Sequence, residues 1–143
     1  ALAGEQSGQF FFNDRWFGFD DALYSASRLI EILSAETRSS DEVFASFPDS
    51  MATPEINIEL SEGENISFME KLLNAANFND AKIIDIDGMR VEFADGWGLV
   101  RASNTMPSLV LRFEADNKDA LQRIQTQFKQ LLTQIKPNLN IPF

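Results

Sequence analysis

The stretch that most constrains the fold is 81–100, because it places two tight-turn signals between short apolar segments. The pairs Asp87-Gly88 and Asp95-Gly96 each separate segments rich in Ile, Val, Met, Phe and Leu. An Asp-Gly pair between such segments is the strongest short-range signal for a hairpin turn. The sequence therefore predicts consecutive antiparallel strands here.

The residues around this stretch predict the rest of an α+β domain. A strand at 55–60 alternates apolar and polar residues, Ser61 with Glu64 forms a capping-box pattern, and a further strand is expected at 108–114. Asn117 is expected to cap a last helix that Pro137 ends. Five residues are expected to form the apolar face of the helix after Ser61: Ile66, Met69, Leu72, Leu73 and Ala76. The order strand, helix, four strands, helix predicts an antiparallel sheet with helices on one face.

The first 48 residues show a different pattern. A loop at 1–8 precedes a short apolar strand at 9–12, followed by helices at 21–34 and 41–47; in the longer helix Leu23, Ala26, Ile30 and Leu33 recur at helical spacing. The acidic pair Asp20-Asp21 is interpreted as the start of the first helix, and Ser39 with Glu42 as a capping box for the second. The breaker-rich segment 48–54 is the predicted linker. We therefore expect domains at 1–48 and 49–143, and a chain that opens on a loop is expected to derive from a longer one.

Composition excludes several classes of function. The chain has 143 residues, of which 44% are hydrophobic, and a formal net charge of −10. This acidity argues against nucleic-acid binding, which needs a basic surface. The absence of Cys and His removes disulfides, thiolate nucleophiles and imidazole catalysis. No apolar run approaches the length of a membrane span and no signal-peptide pattern is present, so a cytoplasmic protein without a membrane partner is expected.

The first candidate site is the polar segment between two predicted strands at 102–107. Arg101, Ser103, Asn104 and Thr105 lie close together there. A guanidinium matches two oxygens of a phosphate or carboxylate, and neutral donors fill the remaining lone pairs. The same residues also suit a turn that satisfies its own backbone. Donor chemistry alone leaves both interpretations open.

The second candidate is the loop Gly4-Glu5-Gln6-Ser7-Gly8. Side chains two residues apart in an extended segment point the same way, so Glu5 and Ser7 are placed to hydrogen-bond adjacent hydroxyls of one sugar. As a bare pattern, a solvated loop at a chain terminus explains the segment better.

Taken together, three stretches resemble one family. GEQSGQFFFNDRWFGFDDALYSASRLIEIL, TPEINI and DGWGLVRASNTMPSLVLRFEAD resemble the alpha-D-phosphohexomutases, and among them the bacterial phosphomannomutase/phosphoglucomutase enzymes. The resemblance implies an α/β remnant of the third domain, followed by a fourth, C-terminal domain with a TATA-binding-protein-like fold. It implies phosphate binding by Arg101, Ser103, Asn104 and Thr105, and sugar binding by Glu5 and Ser7. Gln9 stands where the family commonly has His, so it is a third candidate sugar contact and cannot carry a proton at neutral pH.

The resemblance also implies an activity. The family interconverts hexose 1-phosphates and 6-phosphates of glucose or mannose through a bisphosphorylated intermediate, with a phosphoserine and Mg²⁺ in its first two domains. The phosphoserine and metal loops are absent from this chain, as is most of the third domain. We therefore expect no catalytic residue and no metal or bisphosphate cofactor site of its own, no turnover by the chain alone, and a role in holding the phosphate that is not transferred. The remaining domains of the parent protein would be its partners.

An alternative function is an acidic protein-interaction module without a ligand. In that hypothesis 10–12 forms an unpaired edge strand, and exposed apolar surface on the first segment promotes association. An edge-paired dimer of the chain is expected to be compatible with either function.

Overall fold

The computed structural model describes residues 1–5 and 7–143, which form two compact units, Ala1–Pro48 and Asp49–Phe143. We refer to these as unit 1 and unit 2. Among the described residues, no helix is both long and apolar enough to cross a membrane.

Unit 1 contains a two-stranded hairpin and two helices. Strand β1 (Leu2–Gly4) pairs antiparallel with β2 (Phe10–Phe12), and helices α1 (Ala22–Ala35) and α2 (Ser40–Ala45) follow. The prediction that 1–8 is only a loop was wrong, because Leu2–Gly4 is too short to show strand periodicity in the sequence. The unpaired edge strand expected at 10–12 was also wrong, since β1 supplies its partner.

The helix starts predicted in unit 1 are confirmed. The Asp21 carboxylate accepts a hydrogen bond from the Tyr24 backbone N–H at 2.9 Å and caps α1. Ser39 and Glu42 form the expected capping box at the start of α2. Both signals depend only on residues three positions apart, which is why the sequence reveals them.

The apolar face predicted for α1 is not buried in unit 1. No residue of α1 is buried, and Leu23 is 83% exposed. The helix instead turns Tyr24 and Arg28 toward β2: the Tyr24 ring lies 5.4 Å from that of Phe12, and the Arg28 guanidinium 5.1 Å from the same ring.

Unit 2 is an antiparallel sheet with two helices. Its elements are β3 (Met51–Ala52), β4 (Ile56–Glu59), α3 (Glu64–Ala75), β5 (Lys82–Ile84), β6 (Met89–Phe93), β7 (Gly96–Ala102), β8 (Ser108–Ala115) and α4 (Lys118–Ile135). The strand order is β3-β8-β7-β6-β5, and β4 also pairs with β8. All pairings are antiparallel, so the predicted α+β class and both predicted hairpins are confirmed. The second turn consists of Ala94 and Asp95, one residue earlier than predicted, because Gly96 already pairs with Phe93 in the sheet.

The segment predicted as a linker contributes an edge to this sheet. Met51 and Ala52 form β3 against the end of β8. Beyond them the Thr53 N–H donates to the Phe113 carbonyl at 2.9 Å, and the Thr53 hydroxyl oxygen accepts the Phe113 N–H at 3.1 Å. The linker prediction was therefore wrong for residues 51–53, because the hydrogen bonds that hold them come from a strand 60 residues away.

The core of unit 2 lies between one face of the sheet and the helices. It is formed by alternating residues of the strands together with α3 and α4, including Ile58, Val91, Val100, Leu109, Leu111, Phe113, Ile124, Phe128 and Leu132. At the centre, a side-chain carbon on Gly98 would lie 2.5 Å from the Phe128 ring. Gly98 thus leaves the space that Phe128 fills.

Helix α3 differs from its prediction at both its cap and its face. Gly63, at φ +75°, precedes the helix with no side-chain cap. Ser61 takes part through its backbone: its N–H donates to the Glu64 carboxylate at 3.0 Å, and its carbonyl accepts the Glu64 N–H at 3.0 Å. The buried residues are Phe68, Met69 and Leu72, whereas Ile66 is 67% exposed. The packing partner, not the spacing alone, selects which residues of the helix are covered.

Candidate functional site

Arg101 lies near the end of β7, on the sheet face opposite the helices. It pairs across the sheet with Val110, and its neighbour Val100 is fully buried in the core. Alternation along the strand therefore directs Arg101 away from α3 and α4. Gly88 sits against it: with φ +97°, a side-chain carbon there would lie 2.7 Å from the Arg101 Cβ. The Asp87-Gly88 turn thereby brings backbone close to the base of Arg101.

Ser103 organises the loop between β7 and β8. Its N–H donates to the Ser108 carbonyl at 2.9 Å, and its hydroxyl oxygen accepts the N–H groups of Met106 at 3.2 Å and Thr105 at 3.4 Å. From α3, the Asn65 side-chain amide donates to the Ser103 carbonyl at 2.9 Å. Ser103 thus satisfies backbone groups, as the turn interpretation requires, while its own hydroxyl hydrogen stays available to a ligand.

Three donors of this loop have no partner in the part of the chain that the structure describes. Among residues 1–5 and 7–143, the Arg101 guanidinium, the Asn104 amide and the Thr105 hydroxyl form neither a hydrogen bond nor an ion pair. Asn104 and Thr105 are exposed, and Arg101 is half-buried. A half-buried guanidinium beside free neutral donors is suited to an oxyanion.

The loop between β1 and β2 brings its candidate residues together. The Glu5 N–H donates to the Gln9 carbonyl at 2.8 Å, and Gly8, at φ +90°, donates to the Glu5 carbonyl at 3.0 Å. These bonds place the Ser7 hydroxyl oxygen 3.2 Å from Glu5 Oε2 and 3.0 Å from Gln9 Oε1. Gln6 of this loop lies outside the described residues.

This cluster presents mainly hydrogen-bond acceptors. The Ser7 hydroxyl has one hydrogen and two acceptors within reach, so at any moment one of the two oxygens, on Glu5 or on Gln9, is left for a ligand. All three side chains are exposed. A ligand that carries hydroxyl donors fits such a cluster, and an anion does not.

Asp20 is a further member of this cluster, although its sequence position indicates only a role at the start of α1. The Gln9 side-chain amide donates to Asp20 Oδ2 at 3.2 Å. An isolated antiparallel bridge between Phe11 and Asp20 holds the two backbones together. The separation of 11 residues gives no local sequence signal for this contact.

A metal centre is not among the features of the described part of the chain. Within it, no group of three or more Asp or Glu side chains is arranged to hold an ion. The acidic residues near the hairpin turns are thus spread over the surface and do not converge.

The two units, an α+β domain with a donor-rich loop and a preceding strand–helix unit with an acceptor-rich cluster, each match a known domain family. The family described as phosphoglucomutase/phosphomannomutase, C-terminal domain, matches residues 55–131. The family described as phosphoglucomutase/phosphomannomutase, alpha/beta/alpha domain III, matches residues 1–51. The chain belongs to the phosphoglucomutase/phosphomannomutase family.

Individual relatives agree. The chain is 52% identical over 142 residues to a phosphomannomutase/phosphoglucomutase of Pseudomonas syringae pv. tomato, covering 99% of this chain and 30% of the relative. It is 55% identical over 143 residues to a phosphoglucomutase of Neisseria meningitidis serogroup A, covering 99% of this chain and 31% of that protein. A crystal structure of a phosphoglucomutase/phosphomannomutase family protein from Burkholderia thailandensis superposes with a TM-score of 0.90 at 45% identity, over 99% of this chain and 30% of that one. The chain thus spans about a third of the length of these relatives.

Proposed function

We propose that this chain is the substrate-binding C-terminal part of a phosphomannomutase/phosphoglucomutase that interconverts hexose 1-phosphate and hexose 6-phosphate. In this proposal unit 1 is the end of the third domain and unit 2 is the fourth. The loop of Arg101, Ser103, Asn104 and Thr105 binds the phosphate that is not being transferred. Glu5, Ser7 and Gln9 bind hydroxyls of the sugar.

The observation that supports the proposal most directly is that the side-chain donors of Arg101, Asn104 and Thr105 have no partner among the described residues. Ser103 already satisfies the loop backbone, so the loop keeps its shape without help from Arg101, Asn104 or Thr105. In a chain of net charge −10, a half-buried guanidinium with no carboxylate partner among the described residues is best explained by an anion from outside the protein.

The acceptor-rich cluster in unit 1 supports the other half of the proposal. A sugar ring offers hydroxyl donors and carries no charge there, which matches the Glu5 and Gln9 oxygens around Ser7. The two loops thus differ in hydrogen-bonding character: the loop in unit 2 presents donors and the cluster in unit 1 presents acceptors.

In this proposal, phosphoryl transfer takes place in other domains of the parent protein, which correspond to the regions of the relatives outside the alignment with this chain. The described residues offer no metal-binding group, so the Mg²⁺ expected for the parent enzyme would be held elsewhere. We further propose that the chain binds no bisphosphate cofactor in productive form and does not turn over hexose phosphate alone. A cytoplasmic location stays a prediction from the sequence.

An NMR titration of the ¹⁵N-labelled chain tests this function. Millimolar inorganic phosphate at low salt is expected to shift the backbone amides of 102–107, and glucose those of 5–9. Glucose 1-phosphate is expected to shift amides of both loops. Binding is expected to be weak, because the loops are open to water and the anion is screened. Shifts that avoid 102–107 under phosphate would overturn the proposal.

A second candidate function is protein association through unit 1. Large apolar side chains are exposed there, with Phe17 81% and Leu23 83% exposed. Such surface is typical of an interface. A dimer that grows with concentration in sedimentation, with no response to phosphate, would favour this function over ligand binding.

A further inference from the structure

The two ends of the Gln9 side-chain amide face different hydrogen-bonding partners. On one side its Oε1 is 3.0 Å from the Ser7 hydroxyl oxygen, and on the other its Nε2 is 3.2 Å from Asp20 Oδ2. A glutamine amide can be turned over, exchanging its carbonyl and its NH₂ group, with almost no change in shape. What fixes its orientation is therefore the hydrogen bonding of its neighbours.

Asp20 is the neighbour that fixes the orientation of the Gln9 amide. Its ionised carboxylate only accepts hydrogen bonds, so the NH₂ of Gln9 must face it. Ser7 accepts as well as donates, and would tolerate either end of the amide. The carboxylate of Asp20 thereby directs the Gln9 carbonyl toward Ser7, and the cluster presents acceptors on both sides of that hydroxyl.

The placement of Asp20 is not explained by the helix that follows it. The cap of α1 is Asp21, whose carboxylate accepts the Tyr24 N–H at 2.9 Å. The Asp20 backbone is instead held against β2 by its bridge to Phe11. The two adjacent carboxylates thus serve different parts of unit 1.

We propose that Asp20 is a positioning residue for the sugar-binding cluster. It acts through Gln9: it holds the amide carbonyl toward Ser7, so that the cluster accepts hydrogen bonds from ligand hydroxyls and offers fewer donors to an anion. This inference rests on the proposed sugar-binding role of Glu5, Ser7 and Gln9. It extends that role to Asp20, whose side chain contacts Gln9.

The first test needs no ligand. In the ¹⁵N-labelled chain, Asp20→Ala is expected to move the Gln9 side-chain amide resonances toward those of a free amide, because their acceptor is gone. Asp41→Ala is the matched control, since it removes the same side chain and charge from an exposed position of α2. Unchanged backbone shifts in the middle of α1, away from both substitutions, would show that both variants keep the fold of unit 1. Gln9 amide resonances that respond equally to both variants, or to neither, would overturn the proposal.

A second readout uses the absence of histidine from the chain. Gln9→His introduces a single imidazole, whose pKa can be followed by NMR without overlap. A carboxylate beside an imidazole raises its pKa, so adding Asp20→Ala is expected to lower that pKa by about half a unit or more, and adding Asp41→Ala is not. Glu5, the other carboxylate of the cluster, is the same in both backgrounds. Equal pKa values would count against the positioning role.

Sugar titration separates this inference from the function on which it rests. Asp20→Ala is expected to weaken glucose binding about 2–10-fold, the loss typical of one hydrogen bond, with phosphate binding at 102–107 unchanged. If glucose fails to shift 5–9 in the unaltered chain, the sugar-binding function falls. If glucose binds equally well to the unaltered chain and to Asp20→Ala, the sugar-binding function is supported and the positioning role of Asp20 is contradicted.

Discussion

At the scale of single residues, the two candidate loops differ in how their side chains are used. Ser103 is occupied by the backbone of its own loop, while Arg101 and Asn104 have no partner among the described residues. Gln9 and Asp20 are occupied by each other. A substitution at Ser103 is therefore expected to affect folding and binding together, whereas Arg101 and Asn104 allow binding to be measured separately.

Arg101→Ala is expected to weaken phosphate binding about 10- to 100-fold, because a charge-assisted hydrogen bond contributes roughly 1.5–3 kcal/mol. Asn104→Ala is expected to have a milder effect, of about 0.5–1.5 kcal/mol. Neither change should alter the melting temperature by more than a small amount, since neither side chain bonds to any of the described residues. NMR titration with phosphate, together with thermal melts, measures both quantities.

Lys71→Ala is the control for these two variants, since it removes one positive charge from an exposed position of α3. Phosphate affinity is expected to change little in this variant, because the charge lies on a different element. A loss as large as that of Arg101→Ala would mean that phosphate responds to net charge and not to the loop. A parallel loss of melting temperature and affinity in Arg101→Ala would mean that Arg101 is structural.

At the scale of elements, a salt bridge ties the start of α3 to the residue after α4. The Lys136 ammonium lies 2.8 Å from Glu64 Oε2, and the Ser61 N–H donates to the same carboxylate. These contacts, with Lys136 the larger cause, hold the pKa of Glu64 below its ordinary value. The two helices that cover the sheet are therefore linked by a pH-dependent contact.

The direction of that dependence follows from the lowered pKa. Unfolded Glu64 binds its proton more readily than folded Glu64, so its contribution is complete above the ordinary glutamate pKa of about 4.3 and is lost as pH falls through the lower folded value. Glu64→Gln is expected to lower the free energy of unfolding at pH 7, and the difference from the unaltered chain should shrink below about pH 4. Urea unfolding between pH 3 and 7 measures it.

Glu70→Gln provides the comparison on the same helix, at an exposed position that forms no ion pair within the described part of the chain. It is expected to leave stability almost unchanged at every pH. A Glu64→Gln effect that is constant from pH 3 to 7 would show that the loss comes from helix capping or packing and not from the charge.

At the scale of the whole molecule, the buried apolar residues are concentrated in unit 2. The core cluster lies entirely there, whereas Val43 is the one buried hydrophobic residue among those described in unit 1. Unit 2 therefore supplies most of the apolar burial that offsets the entropy of ordering the chain. Buried apolar surface is thus distributed unequally between the units.

Residues 49–143 expressed alone are expected to fold cooperatively, and residues 1–48 alone are not. Near-UV circular dichroism and thermal melts of the two pieces and of the full chain measure this. The 49–143 piece should keep the aromatic signal of the Phe-rich core and the phosphate response of 102–107. A 49–143 piece that melts without a cooperative transition would show that unit 2 depends on the preceding residues.

The sequence by itself determined the features that depend on near neighbours. The Asp87-Gly88 turn, the cap at Asn117 and the capping box at Ser39 each rest on residues a few positions apart. The order of strands and helices in unit 2, and hence its α+β class, follows from these signals and from periodicity. The family follows from motifs that span both units.

Only the tertiary structure decided the features that join distant residues. It added β3 to the sheet, exposed Ile66, and placed Asp20 against Gln9. Each of these depends on a partner that lies far away in the sequence and reaches its position only after folding. Local pattern therefore predicts which segments become strands and helices, while packing selects the faces that are buried and the side chains that meet at a site.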